Sequence, residues 1–287
     1  MLECIHEVEP LLCFSLEQIL RGLQKSFKDV CIPYWDTALD YDLPDPRDSA
    51  LWTKYYWGKN SGQVTDGKLC KNWEVTPLCD FHNGILTRQI YYDKNYLYSR
   101  DSISNLLATP SYTELSLSGS RFEIEHGLIH CYVGTCGTNS HIVNLECAPN
   151  DPVFFMLHSF VDCLWHEWYD MPGKDRNYPT PGVLSATSYN IGRGHQKYDN
   201  MDPFGLANIN GQRQNFYTRC RERPSLLYCG DNDEDCNSPT RMLFCHNCLC
   251  KAKVAPDGDC TGLPDRACYC HRKKHIPKCE NNRCKCY

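Results

Sequence analysis

The sequence predicts a mainly α fold followed by a small disulfide-rich C-terminal module. Three observations predict it: apolar residues recur at helical spacing near the N-terminus, a helix start signal precedes an apolar stretch near residue 151, and cysteines crowd the last part. Of the 21 cysteines, twelve fall between Cys220 and Cys286, among Gly, Pro, Asn and Lys with few aliphatic residues. We therefore expect one domain over residues 1–219 and a crosslinked module over residues 220–287.

The composition limits the classes of partner. A formal net charge of −5 and the absence of a long basic run argue against a nucleic-acid partner. No run of about 18 apolar residues occurs, so the sequence predicts no membrane-spanning segment. At 287 residues the chain can bury one good core and a small appendage.

Cysteine usage predicts a secreted, extracellular protein. Exported modules carry disulfides at the density seen after Cys220, whereas a cytosolic chain would need a metal for nearly every one of these thiols. The first residues, from Met1 to Glu7, carry acids where a signal peptide has a basic segment and then an apolar run. We therefore expect an exported parent protein whose N-terminal part, with its signal peptide, is missing from this chain.

The first predicted helix covers residues 11–27. Apolar residues recur there at helical spacing, and Arg21 and Lys25 lie on the opposite side. A loop rich in Pro and Asp follows at residues 42–48, and residues 50–120 predict mostly loop and short helix. The stretch from Pro172 to Asp202 repeats Pro, Gly and Asn without periodicity, which indicates a surface loop.

Two histidines stand four residues apart in the stretch from Glu123 to Val133. If this stretch is helical, His126 and His130 lie one turn apart on one face, where both imidazoles can reach the same metal ion. Such pairs also arise by chance, so this pair gains its weight from the stretch that follows it.

The stretch from Asp151 to Trp165 contains a helix start signal and a third histidine. Asp151 is a suitable N-cap, and Pro152 fits the first helical position because its missing N–H costs nothing there. His158 lies about two turns further on, and Asp162 stands one turn beyond it as a carboxylate that could orient its imidazole. Three neutral imidazoles from two helices suit copper, zinc, iron or nickel, and spacing alone does not choose among these metals.

These residues resemble one metal half-site of a known family. The pattern His-x-x-x-His followed by Asp-Pro-x-Phe-x-x-x-His-x-x-x-Asp is similar to the second copper half-site, CuB, of the tyrosinase, catechol oxidase and molluscan haemocyanin family of type 3 copper proteins. Ile32–Asp36 resembles the Pro-Tyr-Trp-Asp segment after the first half-site, CuA, and Met201–Phe204 resembles the segment that closes the central domain. The resemblance covers about residues 9–219, and the Cys-rich tail is similar to that of invertebrate secreted tyrosinase-like proteins.

The resemblance implies a type 3 copper helical-bundle core with long loops. Members of the family bind dioxygen between two copper ions and oxidise o-diphenols, and in some cases monophenols, to o-quinones. His126, His130 and His158 would hold the second copper, with a small phenolic substrate and dioxygen as partners. Gly127 stands where several monophenol-oxidising members carry Asn, which favours catechol oxidation over phenol hydroxylation.

The first copper half-site departs from the family pattern. With Glu17 aligned to the glutamate of the following helix, Glu9 occupies the position of the nearest upstream histidine. His6 is the only histidine before Pro33; it would serve the first copper after a local shift, and otherwise it is an exposed terminal histidine. We therefore expect one copper in this chain, where the intact family site holds two.

A second interpretation keeps the fold without turnover. Leu157 stands where the family usually carries a histidine beside the ligand at His158. This change and the incomplete first half-site also fit a catalytically inactive, secreted matrix or binding protein, with extracellular matrix as its partner. The single copy of the domain disfavours reversible oxygen carriage. Glu123 and Glu125 are candidates for a carboxylate that orders a water near the site.

The other histidines and the tail favour structural roles. His166 is rotated away from the ligand face and is predicted to cap the end of its helix, while Cys131 is predicted to pair with Cys136 or Cys147. The tail cysteines allow six bridges, and disulfides are favoured there over a zinc site around His246. The basic residues of the tail also suggest contact with an acidic surface. The histidines without a partner at ligand spacing are His82, His141 and His195.

Overall fold

The structure, a computed structural model, confirms the mainly helical fold. It describes residues 5–25, 30–71, 73–80, 83–116, 120–178, 197–201, 204–212, 223–226, 228–230, 236, 241–272 and 274–287, with the backbone alone for residues 5–11 and 116. Asp202, in the predicted closing segment, and the tail cysteine Cys220 lie outside these residues. None of the described helices is long and apolar enough to cross a membrane.

Six α-helices lie within the described residues. The first begins and ends earlier than the predicted range of 11–27, and it ends next to Gly22, a residue type that weakens helices. In chain order the helices are α1 (Ile5–Leu23), α2 (Thr37–Tyr41), α3 (Arg100–Leu107), α4 (Tyr112–Ser116), α5 (Arg121–Gly134) and α6 (Val153–Asp170).

The described residues contain four sheets, and each sheet is an antiparallel pair of short strands. The first pair lies within residues 50–120, which the sequence predicts as loop and short helix. In the tail, the register places Cys245 opposite Cys250 and Cys279 opposite Cys284. The pairs are β1 (Ser61–Gln63) with β2 (Thr87–Gln89), β3 (Asn200–Met201) with β4 (Leu206–Ala207), β5 (Leu243–His246) with β6 (Leu249–Ala252), and β7 (Pro277–Glu280) with β8 (Arg283–Cys286).

The chain divides into two compact units, and the tail belongs to the second of them. The predicted domain limit between residues 219 and 220 stays a prediction. The first unit comprises Met1–Trp35, Asp101–Gly127 and Phe155–Arg221, and the second comprises Asp36–Arg100, Leu128–Phe154 and Glu222–Tyr287.

The first unit is built around α6. Trp165 and Trp168 of this helix are buried, and the Trp165 ring meets the Tyr112 ring of α4 edge-on, with 5.4 Å between the ring centroids. Trp168 Nε1 donates to the Thr109 carbonyl at 2.7 Å, so the polar atom of this buried ring is paired. These contacts hold the C-terminal half of α6.

Within the second unit, apolar residues from outside the tail pack against the tail, which has few apolar residues of its own. Leu39 in α2 and Leu43 just after it lie in one buried cluster with the tail's disulfide-bonded cysteines and its few aliphatic side chains. The Ser225 N–H donates to Asp36 Oδ2 at 3.0 Å, so the aspartate of the Pro-Tyr-Trp-Asp segment holds the start of the tail. The tail is therefore ordered by burial against residues 36–43 as well as by its crosslinks.

Disulfides staple the tail, as predicted, but one expected bridge is missing. Cys248 carries a free, exposed thiol, so the expectation of six bridges within the tail is wrong. Elsewhere, Cys131 pairs with Cys136, one of its two predicted alternatives, and Cys79 pairs with Cys147. The bridges between described tail residues are Cys229–Cys245, Cys236–Cys250, Cys260–Cys279, Cys268–Cys284 and Cys270–Cys286.

Candidate metal centre

Helix α5 carries the first two histidines of the site. Ser120 is its N-cap, because the Ser120 hydroxyl accepts from the Glu123 N–H at 3.3 Å and the Ser120 carbonyl accepts from the Ile124 N–H at 3.0 Å. The spacing Ser-x-x-Glu is a further sequence signature of a helix start. His126 and His130 follow within this helix, one turn apart, as their spacing predicts.

Helix α6 begins where its start signal predicts. Asp151 Oδ1 accepts from the Val153 N–H at 3.0 Å, which confirms the predicted N-cap. Asp151 is fully buried, and each of its carboxylate oxygens also accepts a hydrogen bond of 2.6 Å from Arg88. Sequence reasoning missed Arg88, which lies 63 residues upstream and completes a buried, bidentate ion pair. This pair holds the first turn of the helix that carries His158.

Three buried imidazoles converge in the site. His126, His130 and His158 are 1%, 7% and 5% exposed, and each offers a ring nitrogen within 4.8 Å of the other two. The two Nε2 atoms of His126 and His158 approach to 3.4 Å, and these rings meet edge-on with 4.9 Å between their centroids. The structure thus brings together the three residues predicted to hold one metal ion.

The surroundings of His130 set its protonation state. Its Nδ1 lies 2.8 Å from the Ile142 carbonyl oxygen, which can only accept, so Nδ1 carries the proton and Nε2 keeps a lone pair. Burial lowers the pKa of His130, against the opposing effects of this hydrogen bond and of Asp151. A neutral imidazole with its other nitrogen hydrogen-bonded to a carbonyl is the usual form of a metal-binding histidine.

The donor set fits copper. Imidazole nitrogen suits copper as well as zinc, iron and nickel, and the three rings are close enough to share one ion. A cation at their centre would be bound by one nitrogen of each ring, in a place where all three side chains are buried. Within the described residues, the two other groups of three close ligand atoms consist of cysteines in disulfides, whose sulfurs are not available as thiolates.

One of the two candidate carboxylates has an oxygen that accepts no hydrogen bond. Glu125 Oε2 is buried without a hydrogen-bond partner among the described residues, while Arg121 Nη1 lies 3.7 Å from Glu125 Oε1. Burial raises the pKa of Glu125 to about 7, against the opposing positive charge of Arg121. Glu125 therefore has an oxygen available to a water.

His166 differs from its predicted role, and Asp162 lies beside it. Asp162 Oδ1 lies 3.2 Å from His166 Nε2, and both side chains are buried within α6. The sequence predicts Asp162 beside His158, which is equally four residues away, and it predicts His166 at the end of the helix. His166 instead lies one turn before that end, where it pairs with Asp162.

Of the remaining predicted histidines, His141 is described in full and does not belong to the cluster. His141 is fully buried; its Nδ1 accepts from the Thr87 N–H at 3.1 Å and its Nε2 donates to the Cys79 carbonyl at 3.0 Å, so both ring nitrogens are used. The backbone of His6 lies in α1, but its side chain is outside the described residues, and its role at a first copper stays a prediction. Also outside the described residues are His82 and His195.

One domain family and several known proteins are similar to this chain. Residues 12–171 match the common central domain of tyrosinase. The tyrosinase-like protein tyr-3 of Caenorhabditis elegans is 28% identical over 88% of this chain and 37% of that protein. A tyrosinase of Streptomyces antibioticus is 30% identical over 59% of this chain and 65% of the enzyme. Hemocyanin type 2 unit e of Rapana venosa is 25% identical over 84% of this chain and 62% of that protein. The chain thus spans less than two thirds of the length of each of these relatives.

Proposed function

The chain belongs to the tyrosinase family, and from this premise we propose that it is a copper protein whose histidines form the second half of a two-copper oxidase site, which converts o-diphenols to o-quinones with dioxygen when the first half-site is present. The observation that carries the proposal is the buried convergence of His126, His130 and His158 within the region similar to the tyrosinase domain. These three residues would hold the second copper of the family's pair, and His6 would belong to the first. The disulfides of the tail support a secreted protein.

The chain's own residues prepare this site before any metal binds. The Ile142 carbonyl keeps His130 in the tautomer that presents Nε2, and burial keeps the ring neutral. Arg88 holds Asp151 at the start of α6, which sets the position of His158 two turns later. Copper bound there would exchange single electrons with dioxygen and the phenolic substrate.

The two residues adjacent to His126 in the sequence indicate which class of substrate the site would accept. Glu125 Oε2, buried and without a partner, would accept a hydrogen bond from a water or from a substrate hydroxyl near the ligands. Gly127 places no side chain after the first ligand, where monophenol-oxidising relatives carry Asn. We therefore propose o-diphenols, with a single flat ring, as the substrate class.

The alternative function is a secreted matrix or binding protein that retains the fold without turnover. Leu157 favours it, because this residue is fully buried beside His158 and offers apolar packing where the family usually carries a histidine. Copper binding and catechol oxidation distinguish the two functions, since the alternative requires neither.

We expect the purified chain to bind about one copper ion, and we expect His130→Ala to weaken that binding. Loss of one of three ligands should lower the affinity by at least the roughly 10- to 100-fold typical of changes to residues that only orient a ligand. Titration with copper against a chelator of known affinity measures this change. His275→Ala is the matched control, because His275 is a tail histidine outside the cluster. Equal copper affinity in His130→Ala and wild type, or two coppers per wild-type chain, would contradict the assignment.

We expect the 287-residue chain to oxidise catechol little or not at all. Conversion of a diphenol to a quinone removes two electrons, whereas one copper accepts one electron. A form extended at its N-terminus to carry the family's first half-site should turn catechol over, and oxygen consumption with quinone absorbance measures this. Chelator-sensitive turnover by the 287-residue chain would overturn the expectation. An extended form that binds two coppers without turnover would favour the matrix protein.

A further inference from the structure

Five cysteines lie in one hairpin of the tail or are bridged to it, and one of the five is unpaired. The hairpin β5–β6 carries Cys245 and Cys250, which are cross-strand neighbours. Disulfides join these two residues to Cys229 and Cys236. Cys248 lies in the turn between the strands, with a free and exposed thiol. An unpaired thiol therefore lies in the same hairpin as two disulfide-bonded cysteines.

The turn places Cys248 opposite Cys229. Asn247 and Cys248 have φ values of 52° and 61°, as expected for a tight two-residue turn. Tyr228 pairs with Leu249 in antiparallel fashion, and the Cys229 N–H donates to the Cys248 carbonyl at 3.0 Å. Residues opposite each other in such a ladder have Cα atoms about 4.5 to 5.5 Å apart, which is within the span of about 4.4 to 6.8 Å that a disulfide bridges.

The Cα separation of the existing Cys229–Cys245 bridge does not exclude Cys248 as an alternative partner of Cys229. The Cα atoms of Cys229 and Cys245 are 5.8 Å apart, which is no shorter than the separation expected for opposite residues such as Cys229 and Cys248. Three sulfurs of the cluster, from Cys229, Cys236 and Cys250, already lie within 4.8 Å of one another. Two bridges thus lie close together at this hairpin, and the unpaired Cys248 stands two residues before one of their cysteines, Cys250.

We propose that this hairpin is a thiol–disulfide exchange site in which Cys229 alternates between Cys245 and Cys248. The Cys248 thiol loses its proton, and the thiolate attacks the sulfur of Cys229. The Cys229–Cys248 bond forms as the Cys229–Cys245 bond breaks, and Cys245 leaves as a thiolate that takes up a proton. One disulfide and one thiol are present before and after, so the exchange requires no external oxidant or reductant.

The exchange would change where the free thiol lies. Cys248 is exposed, whereas Cys245 is buried in the cluster that contains Leu39 and Leu43. One state of the hairpin therefore presents a thiol to solvent, and the other hides it in the core. The device controls whether the tail can form a mixed disulfide by exchange with an external disulfide compound, which releases one of its halves as a thiol.

The Cys245→Ser variant of the full chain tests the alternative pairing. After air oxidation, mass spectrometry of non-reduced peptides, with fragmentation that keeps disulfides intact, should find Cys229 joined to Cys248. The matched control is the double variant Cys245→Ser, Cys248→Ser, in which Cys229 should react fully with iodoacetamide. A free Cys229 in the single variant would overturn the proposal.

The wild-type protein provides a second measurement that does not depend on folding of a variant. Incubation with a trace of reduced glutathione at mildly alkaline pH, followed by acid quenching and alkylation, should label Cys245 and Cys248 in separate molecules. Labelling of Cys248 alone would overturn the proposal. In a parallel incubation with oxidised glutathione, a stable glutathione adduct on Cys248 with the Cys229–Cys245 bridge intact throughout would overturn it as well.

Discussion

Reduction of the tail disulfides should unfold strands β5 to β8. The five bridges span 14 to 19 residues each, and each contributes about 2 to 4 kcal/mol in the chain-entropy model. The tail has few aliphatic side chains to compensate, because its buried cluster consists largely of the cysteines themselves. Hydrogen exchange read by mass spectrometry, with and without a phosphine reductant, should show loss of amide protection throughout residues 241–287.

A variant outside the tail controls for the general effect of losing a crosslink. Cys131→Ser with Cys136→Ser removes a bridge that spans only 5 residues, so it should leave protection in the tail unchanged. Retained protection in β5 to β8 after every thiol has been titrated would contradict the prediction. Zinc that stays bound until the thiols are blocked would make the tail a zinc module instead.

Arg88→Met should lower the free energy of unfolding by about 3 to 5 kcal/mol, because it leaves the carboxylate of Asp151 buried and unpaired. Both side chains are fully buried, so solvent cannot replace the lost hydrogen bonds. Adding Asp151→Asn should recover part of the loss, since asparagine keeps an acceptor for the Val153 N–H without the charge. Urea unfolding of the three proteins measures these differences.

Arg47→Met is the matched control for the ion pair. Arg47 also pairs with an aspartate at 2.6 Å, but its side chain is 43% exposed and that of Asp45 is 24% exposed. Exposed pairs contribute about 0 to 1 kcal/mol, so this variant should lose far less stability than Arg88→Met. An equal loss of unfolding free energy in the two variants would show that the buried pair stabilises the protein no more than the exposed pair does.

Local rules predicted where the three clustered histidines lie in their helices. A spacing of four residues in a helix places His126 and His130 on one face, and Asp151 followed by Pro152 marks a helix start, whatever the rest of the fold does. These signals depend on neighbours within a turn or two of the chain. The positions of the histidines in their helices were therefore predictable from the sequence.

Partners distant in the chain could not be predicted in this way. Arg88 pairs with Asp151 across 63 residues, and Ile142 sets the tautomer of His130 from the short 3-10 helix His141–Val143. Asp162 has histidines four residues away on both sides, so spacing alone cannot choose His166 over His158. The pairing that leaves Cys248 free depends on tertiary contacts in the same way, because cysteine spacing is compatible with many connectivities.

The tail and residues 36–43 share one buried core, and this affects how the protein folds during and after its synthesis. Leu39 and Leu43 emerge from the ribosome long before the tail cysteines that bury them. Leu39 and Leu43 therefore remain exposed until the last part of the chain has been translated and oxidised. Maturation would then depend on the oxidising machinery of the cell, and molecules with unformed tail bridges would expose this apolar surface to chaperones.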